Sequence, residues 1–189
     1  MPLRNLFPTL LIRDYFCIMN LAYQPLLPDD FAPDSRVWIY QSSRLFSLSE
    51  ALEIETALEE FVAGWLAHGA GVKGYGNLFF GRFLVLMADE TNTTVSGCST
   101  DSSVRFVKAL GERFRVDFFA RQHLAFVVKD RIEVLPMNQL PYALANHFIT
   151  ADTLYFNNLA ATKQQLETSW IVPVKDSWLA PKLQFPAQA

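Results

Sequence analysis

The chain has 189 residues, enough for one domain that buries about two-thirds of its unfolded surface and needs no disulfide or metal to hold together. A formal net charge of −3 argues against a general nucleic-acid binder, and two cysteines, Cys17 and Cys98, make no disulfide framework. That composition fits a reducing, cytoplasmic setting, and 51% hydrophobic residues with 16 Phe give a dense core with apolar surface left over for an interface, a homodimer included.

The first twenty residues, MPLRNLFPTLLIRDYFCIMN, hold a short apolar run from Leu6 to Ile12 that Arg13 and Asp14 end. The run is too short for a secretory signal and lacks a small-residue cleavage site. No stretch approaches the ~18 apolar residues of a membrane span. The expectation is that Met19 is the biological start, with residues 1–18 an over-extended reading frame. Residues 1–30 are then an N-terminal extension, disordered or missing from the mature chain, residues 31–180 a single domain and 181–189 a tail.

QPLLPDDFAPDS (24–35) reads as an irregular lead-in and RVWIYQ (36–41) as a β-branched, aromatic strand. Ser47 and Glu50 have the spacing of a capping box, so a helix follows, with Ile54, Leu58, Phe61 and Trp65 on one face and Gly69 at its end. NLFF and RFLVLMA flank Gly81 as a hairpin or one long bent strand. A polar loop, 89–99, leads to a second helix starting near Thr100 or Asp101, with Val104, Val107, Leu110 and Phe114 as its apolar stripe. HLAFVV and IEVL around Lys129, Asp130 and Arg131 form another hairpin, and a weaker helix spans 138–148 with Pro141 in its first turn. TLYF (153–156) is a further strand and TKQQLETSW (162–170) a last helical turn or two.

The order over residues 36–128 is β-α-β-β-α-β, which predicts an α+β fold with a ferredoxin-like core and an added C-terminal β/α segment. Both helices then lie on one sheet face. The first carries Glu50, Glu53, Glu55, Glu59 and Glu60, the second Arg105, Lys108, Arg113 and Arg115 against Glu112, so their flanks either pair or are solvated separately.

GAGVKG (69–74) spells the dinucleotide fingerprint, but it follows a helix and precedes a strand. That order is the reverse of what presents helix N-terminal amides to a pyrophosphate, so the stretch reads as a helix stop and turn. No window carries G-x-x-x-x-G-K-[ST], and there is no signature loop of ABC ATPases.

SGCSTDSS (96–103) is the most functional-looking stretch. With a helix starting near Thr100, Cys98 sits at its mouth, where amides and dipole favour a thiolate, making Cys98 the candidate nucleophile. Arg105 follows at C-x6-R rather than the C-x5-R of thiol phosphatases, and Asp101 would put negative charge into a phosphate cradle. The second reading is a small polar ligand held by Asp89, Glu90, Ser96, Cys98, Ser99, Thr100, Asp101, Ser102 and Ser103. The third is purely structural: Ser99 or Thr100 as cap, Asp101 against the dipole, Cys98 as packing.

His68 stands near the end of the first helix, and His123 and His147 lack partners at metal spacing, so neither metal nor other cofactor is expected. Asn157-Asn158 reads as a turn or cap. In SWIVPVKDSW (169–178), Trp170 and Trp178 either strap the core or contact a protein partner.

RVWIYQSSR (36–44), HGA (68–70), DETNTTVSGCSTDSSVRF (89–106), FNNLAATK (156–163) and the SW at 177–178 together resemble a family of short, uncharacterised bacterial proteins labelled "ABC transporter ATPase". The resemblance covers about residues 30–180 and implies no activity or catalytic residues. The missing Walker and signature motifs argue against the ATPase activity that the label names. The expectation is a non-enzymatic binding or interaction protein, with a thiol-dependent enzyme or redox protein using Cys98, and Arg105 or His68 beside it, as the alternative.

Overall fold

The structure is a computed structural model that describes residues 19–67, 70–91, 97–183 and 185, without the side chains of Ala67, Cys98 and Ser99. Its elements are β1 (Arg36–Gln41), α1 (Leu48–Ala63), β2 (Leu66–Ala67), β3 (Ala70–Gly71), β4 (Lys73–Phe79), β5 (Phe83–Asp89), α2 (Gly97–Phe114), β6 (His123–Val128), β7 (Arg131–Pro136), α3 (Leu140–Ala145), β8 (Leu154–Phe156), α4 (Lys163–Ser169) and β9 (Ile171–Pro173). The expected α+β class is what the chain forms.

β5 is the centre of the first sheet, antiparallel to β1 on one side and β4 on the other. A complete ferredoxin-like sheet would also hold the strand after α2. Here β6 instead pairs with β7 and β8, and a second sheet of order β7-β6-β8-β9 results. The side chains explain the departure. Every residue of β5 is buried, so both faces of the first sheet must be covered. One face, with Leu78, Leu84 and Leu86, packs on Ile54 and Leu58 of α1 and Val107 and Leu110 of α2. The other, with Val37, Phe83, Val85 and Met87, would face water in an open-faced sheet and meets Ala125 and Phe156 of the second sheet instead. The far side of that second sheet, Leu124, Phe126 and Tyr155, packs on Leu140 and Leu144 of α3 and on Val174 and Leu179. The result is four layers, helices–sheet–sheet–helix, with three apolar interiors between them.

Local chemistry sets the elements. The Ser47 Oγ accepts from the Glu50 N–H (3.3 Å) and a Glu50 carboxylate oxygen accepts from the Ser47 N–H (2.8 Å), which completes the expected capping box. The first helix ends sooner than expected, at Ala63. Gly64 closes its last turn by donating to Glu60 O, and Trp65 leaves the helix to lie over β4. Gly69, expected at the helix end, is outside the described residues. Gly74 and Gly76 occupy alternate positions on β4, and a Cβ there would stand 2.9 Å from the Trp65 ring and 3.0 Å from Leu58. Gly74, the last glycine of the fingerprint-like stretch, and Gly76 therefore serve close packing of β4 against α1 and Trp65, while Gly71 has nothing within 4 Å of a Cβ. Phe80–Gly81 and Lys129–Asp130 turn the two hairpins with φ of 53°, 57°, 49° and 58°. Of the expected helix over 138–148, residues 137–139 form a 3₁₀ turn and 140–145 the α-helix, with Pro141 in the first turn. α1 and α2 do meet through charge, Arg113 pairing with Glu53, and Phe61 stacks on Phe106 at 4.3 Å.

The domain also begins earlier and ends later than expected. Tyr23 is 3% exposed and its hydroxyl donates to Leu166 O at 2.6 Å, while Leu27 and Phe31 join the core between the sheets. Residues 19–30 are thus part of the domain rather than an extension. Leu183, in the expected tail, packs under α3. The Met19 expectation concerns residues 1–18, outside the described residues. Among the described residues no helix is long and apolar enough to cross a membrane.

Candidate functional site

The residues chosen from the 89–103 loop are only partly brought together. Asp89 is 4% exposed and committed inward: its carboxylate accepts from the Thr91 N–H and hydroxyl, from Lys73 Nζ at 3.1 Å and from the Ala32 N–H at 3.4 Å. These donors, Thr91 foremost, hold the Asp89 carboxyl well below the ordinary carboxylate range. Glu90 pairs with Arg36 at 3.7 Å. Asp89 and Glu90 are therefore fasteners of β5 to β4, β1 and the N-terminal segment.

α2 begins at Gly97, so Cys98 lies in its first turn and not outside the helix as expected. The side chains of Cys98 and Ser99 are outside the described residues, as are residue Ser96 and His68. Asp101 is exposed and Thr100 and Ser102 are half-buried. Ser103 is fully buried and its hydroxyl donates to Thr100 O at 2.7 Å. The same hydroxyl is hydrogen-bonded to Tyr40 on β1.

The two tryptophans of the C-terminal stretch part company. Trp170 is fully buried between the sheets, with edge or tilted ring contacts to Tyr23, Phe79, Phe80, Phe83 and Phe156, and is no contact for a partner. Trp178 is half-buried; its Nε1–H donates to the Tyr155 hydroxyl at 3.1 Å and Lys182 Nζ lies 4.4 Å from its ring centre. Burial pushes the Tyr155 phenol up to about 12, the Trp178 hydrogen bond working against it.

The concave site lies elsewhere, where the first sheet's edge meets the second sheet. β1 has β5 on one side only. At its start the other side is taken, since the Val37 N–H donates to Ala161 O at 2.9 Å and Arg36 bridges to Thr162. By the two-residue alternation of a strand, the backbone of Ile39 points the same way as that of Val37. There the 157–161 segment diverges, and a cavity of about 350 Å³ opens. Val37 to Gln41 form one wall, Phe118 to Arg121 with His123 and Leu124 the second, and Tyr155, Asn158 to Ala161 and Trp178 the third.

A hydrogen-bond chain ties the walls together. Asn158 Nδ2 donates to Gln41 Oε1 (3.0 Å), Gln41 Nε2 donates to His123 O (3.2 Å), and Asn158 Oδ1 accepts from Trp170 Nε1 (3.1 Å). Tyr40 reaches the rim with its ring against Phe119 at 5.6 Å. Burial pushes the Tyr40 phenol up, and the Ser103 hydrogen bond and the nearby Arg121 charge pull it back. Among the described residues no Asp or Glu lines the cavity. Sequence reasoning missed Gln41, Arg121 and the bridging role of Asn158, because the cavity is assembled from four separated segments. The one legible signal was the Asn157-Asn158 pair after a strand. Among the described residues no group of three or more His, Cys, Asp or Glu could hold a metal ion. Comparison of the chain with protein-family models, curated proteins and solved structures matched none of them.

Proposed function

We propose that this chain is a non-enzymatic binding module whose ligand site is the cleft between β1 and the second sheet, in place of the loop at 89–103. The observation that carries the reading is the cavity of about 350 Å³ at a sheet junction, apolar in its body and braced by the Gln41–Asn158 network. Its size falls in the range of small-molecule sites, which are concave, mostly apolar and fitted with few polar groups. Asp89 and Glu90, by contrast, are spent on internal partners. The two-cysteine composition supports a cytoplasmic setting for such a module.

The test is a small-molecule screen followed by backbone amide resonances of the ¹⁵N-labelled chain. Binders should perturb Ile39, Gln41, Phe119 to His123 and Asn158 together, and Ala161→Trp, which fills the mouth of the cleft, should abolish those shifts. Binders that perturb only the start of α2, or a full screen that leaves the cleft unmoved, would overturn the assignment.

A further inference from the structure

The cleft's polar groups are unequal, and the inequality points to a ligand class. Gln41 and Asn158 already spend their amides on each other, on His123 O and on Trp170. What remains unspent is chiefly donor: Arg121 and His123 line the cleft, the Arg121 charge acts on the Tyr40 phenol, and neither the guanidinium nor the imidazole makes a hydrogen bond or ion pair with any described residue. Among the described residues no Asp or Glu lines the cleft. The nearest in sequence, Asp117, is spent on the Phe119 N–H at 2.6 Å. A guanidinium offers a planar fork of donors that matches a carboxylate or phosphate with two parallel bonds. Beside it stand the aromatic walls, Trp38, Tyr40, Phe118, Phe119, Tyr155 and Trp178. They suit a flat apolar body and would desolvate the ion pair at its mouth.

We infer that the cleft takes a small organic anion with a flat apolar body, its carboxylate or phosphate held by Arg121 at the rim and its body laid along the aromatic walls of β1 and the second sheet. The inference rests on the cleft being a ligand site. An inorganic anion alone is a poor occupant, because it would leave the apolar walls unfilled. Arg121 is the specificity-determining residue, and His123 adds a second donor.

Three isosteric probes decide it: 2-naphthoate, neutral 2-naphthamide and cationic 2-naphthylmethylamine, titrated into the ¹⁵N-labelled full chain. Naphthoate should move the cleft resonances and bind at least about tenfold tighter than the amide, as a charge-assisted pair replaces a neutral one. The amine should bind weakest. Arg121→Gln should erase the preference for naphthoate while leaving the amide's affinity within about twofold, which separates lost charge recognition from a lost fold. Inorganic phosphate at the same concentrations should leave the cleft resonances in place. Equal binding of naphthoate and amide, or tighter binding of the amine, overturns the anion inference and leaves the cleft reading standing. No cleft response to any of the three at millimolar concentration overturns both.

Discussion

Asn158 donates a 3.0 Å hydrogen bond to the Gln41 side chain across 117 residues of sequence, and so joins the edge of the first sheet to the loop leaving the second. The same asparagine accepts from Trp170, a fully buried ring of the inter-sheet core. One side chain thus connects the wall of the cleft to the interior that holds the sheets together. Removing it leaves the Trp170 N–H without an acceptor in a place water reaches poorly. Asn158→Leu should lower unfolding stability by about 1–3 kcal/mol, the cost of a stranded buried donor. It should also broaden the amide resonances of Ile39 and Gln41. Chemical denaturation and the ¹⁵N spectrum check the two halves of this prediction.

The two tryptophans that looked alike in sequence should behave differently. Trp170→Ala empties a site ringed by five aromatic side chains and should cost about 3–5 kcal/mol, the range for deleting a buried aromatic. Trp178→Ala loses a half-buried ring and one hydrogen bond to Tyr155, and about 1–2 kcal/mol is expected. Urea titrations followed by far-UV circular dichroism, which does not depend on the deleted fluorophore, give both values.

Glycines on β4 offer a sharper packing test. Gly76→Val would drive a branched side chain into Leu58, Leu86 and Val62, whose atoms lie 3.0 to 3.3 Å from a Cβ. Overpacking there should cost about 1–3 kcal/mol. Gly71→Ala, with nothing within 4 Å of the new Cβ, should change stability by less than about 0.5 kcal/mol. Thermal denaturation of the pair distinguishes helix–strand clearance from a general need for glycine.

Asp89 gives a pH dependence of definite sign. Its folded carboxyl titrates below the ordinary value of 3.8, held down by Thr91, Lys73 and the Ala32 N–H. The folded state therefore binds fewer protons at this group than the unfolded chain does. The contribution is complete above the unfolded value and falls as pH drops from there through the folded one. Asp89→Asn should be less stable than the parent chain by about 1–3 kcal/mol at pH 7. The gap should be unchanged at pH 5.5 and should narrow below pH ~4. Parallel urea titrations at pH 7, 5.5 and 3 measure it; a gap that widens on acidification would contradict the assigned network.

Local rules in the residue string decided much of this protein. Strand RVWIYQ, the Ser47–Glu50 box, both hairpins and the amphipathic stripe of α2 form where periodicity, capping and turn chemistry placed them, because each depends on neighbours a few residues away. Where tertiary packing competed, local signals yielded. Trp65 continued a helical stripe in sequence, but Gly64 and the clearance over Gly74 drew it out of the helix. Residues 19–30 carried Pro and Asp like a linker, yet Tyr23 and Leu27 found a core whose members run from Val37 to Trp170.

The placement of β6 shows the division most clearly. Its order in the chain matched the last strand of a ferredoxin-like sheet, and order alone does not say which edge a strand joins. The all-buried pattern of β5 required cover on both faces, and β6 with β8 supplied it by founding a second sheet. The cleft followed from that choice, since the 157–161 segment closes the free edge of β1 only at its start. Sequence by itself determined the elements and their apolar faces, through interactions spanning one or two turns. Only the tertiary structure decided which faces met and where a gap was left, because burying apolar area is non-directional and is settled by the whole chain at once.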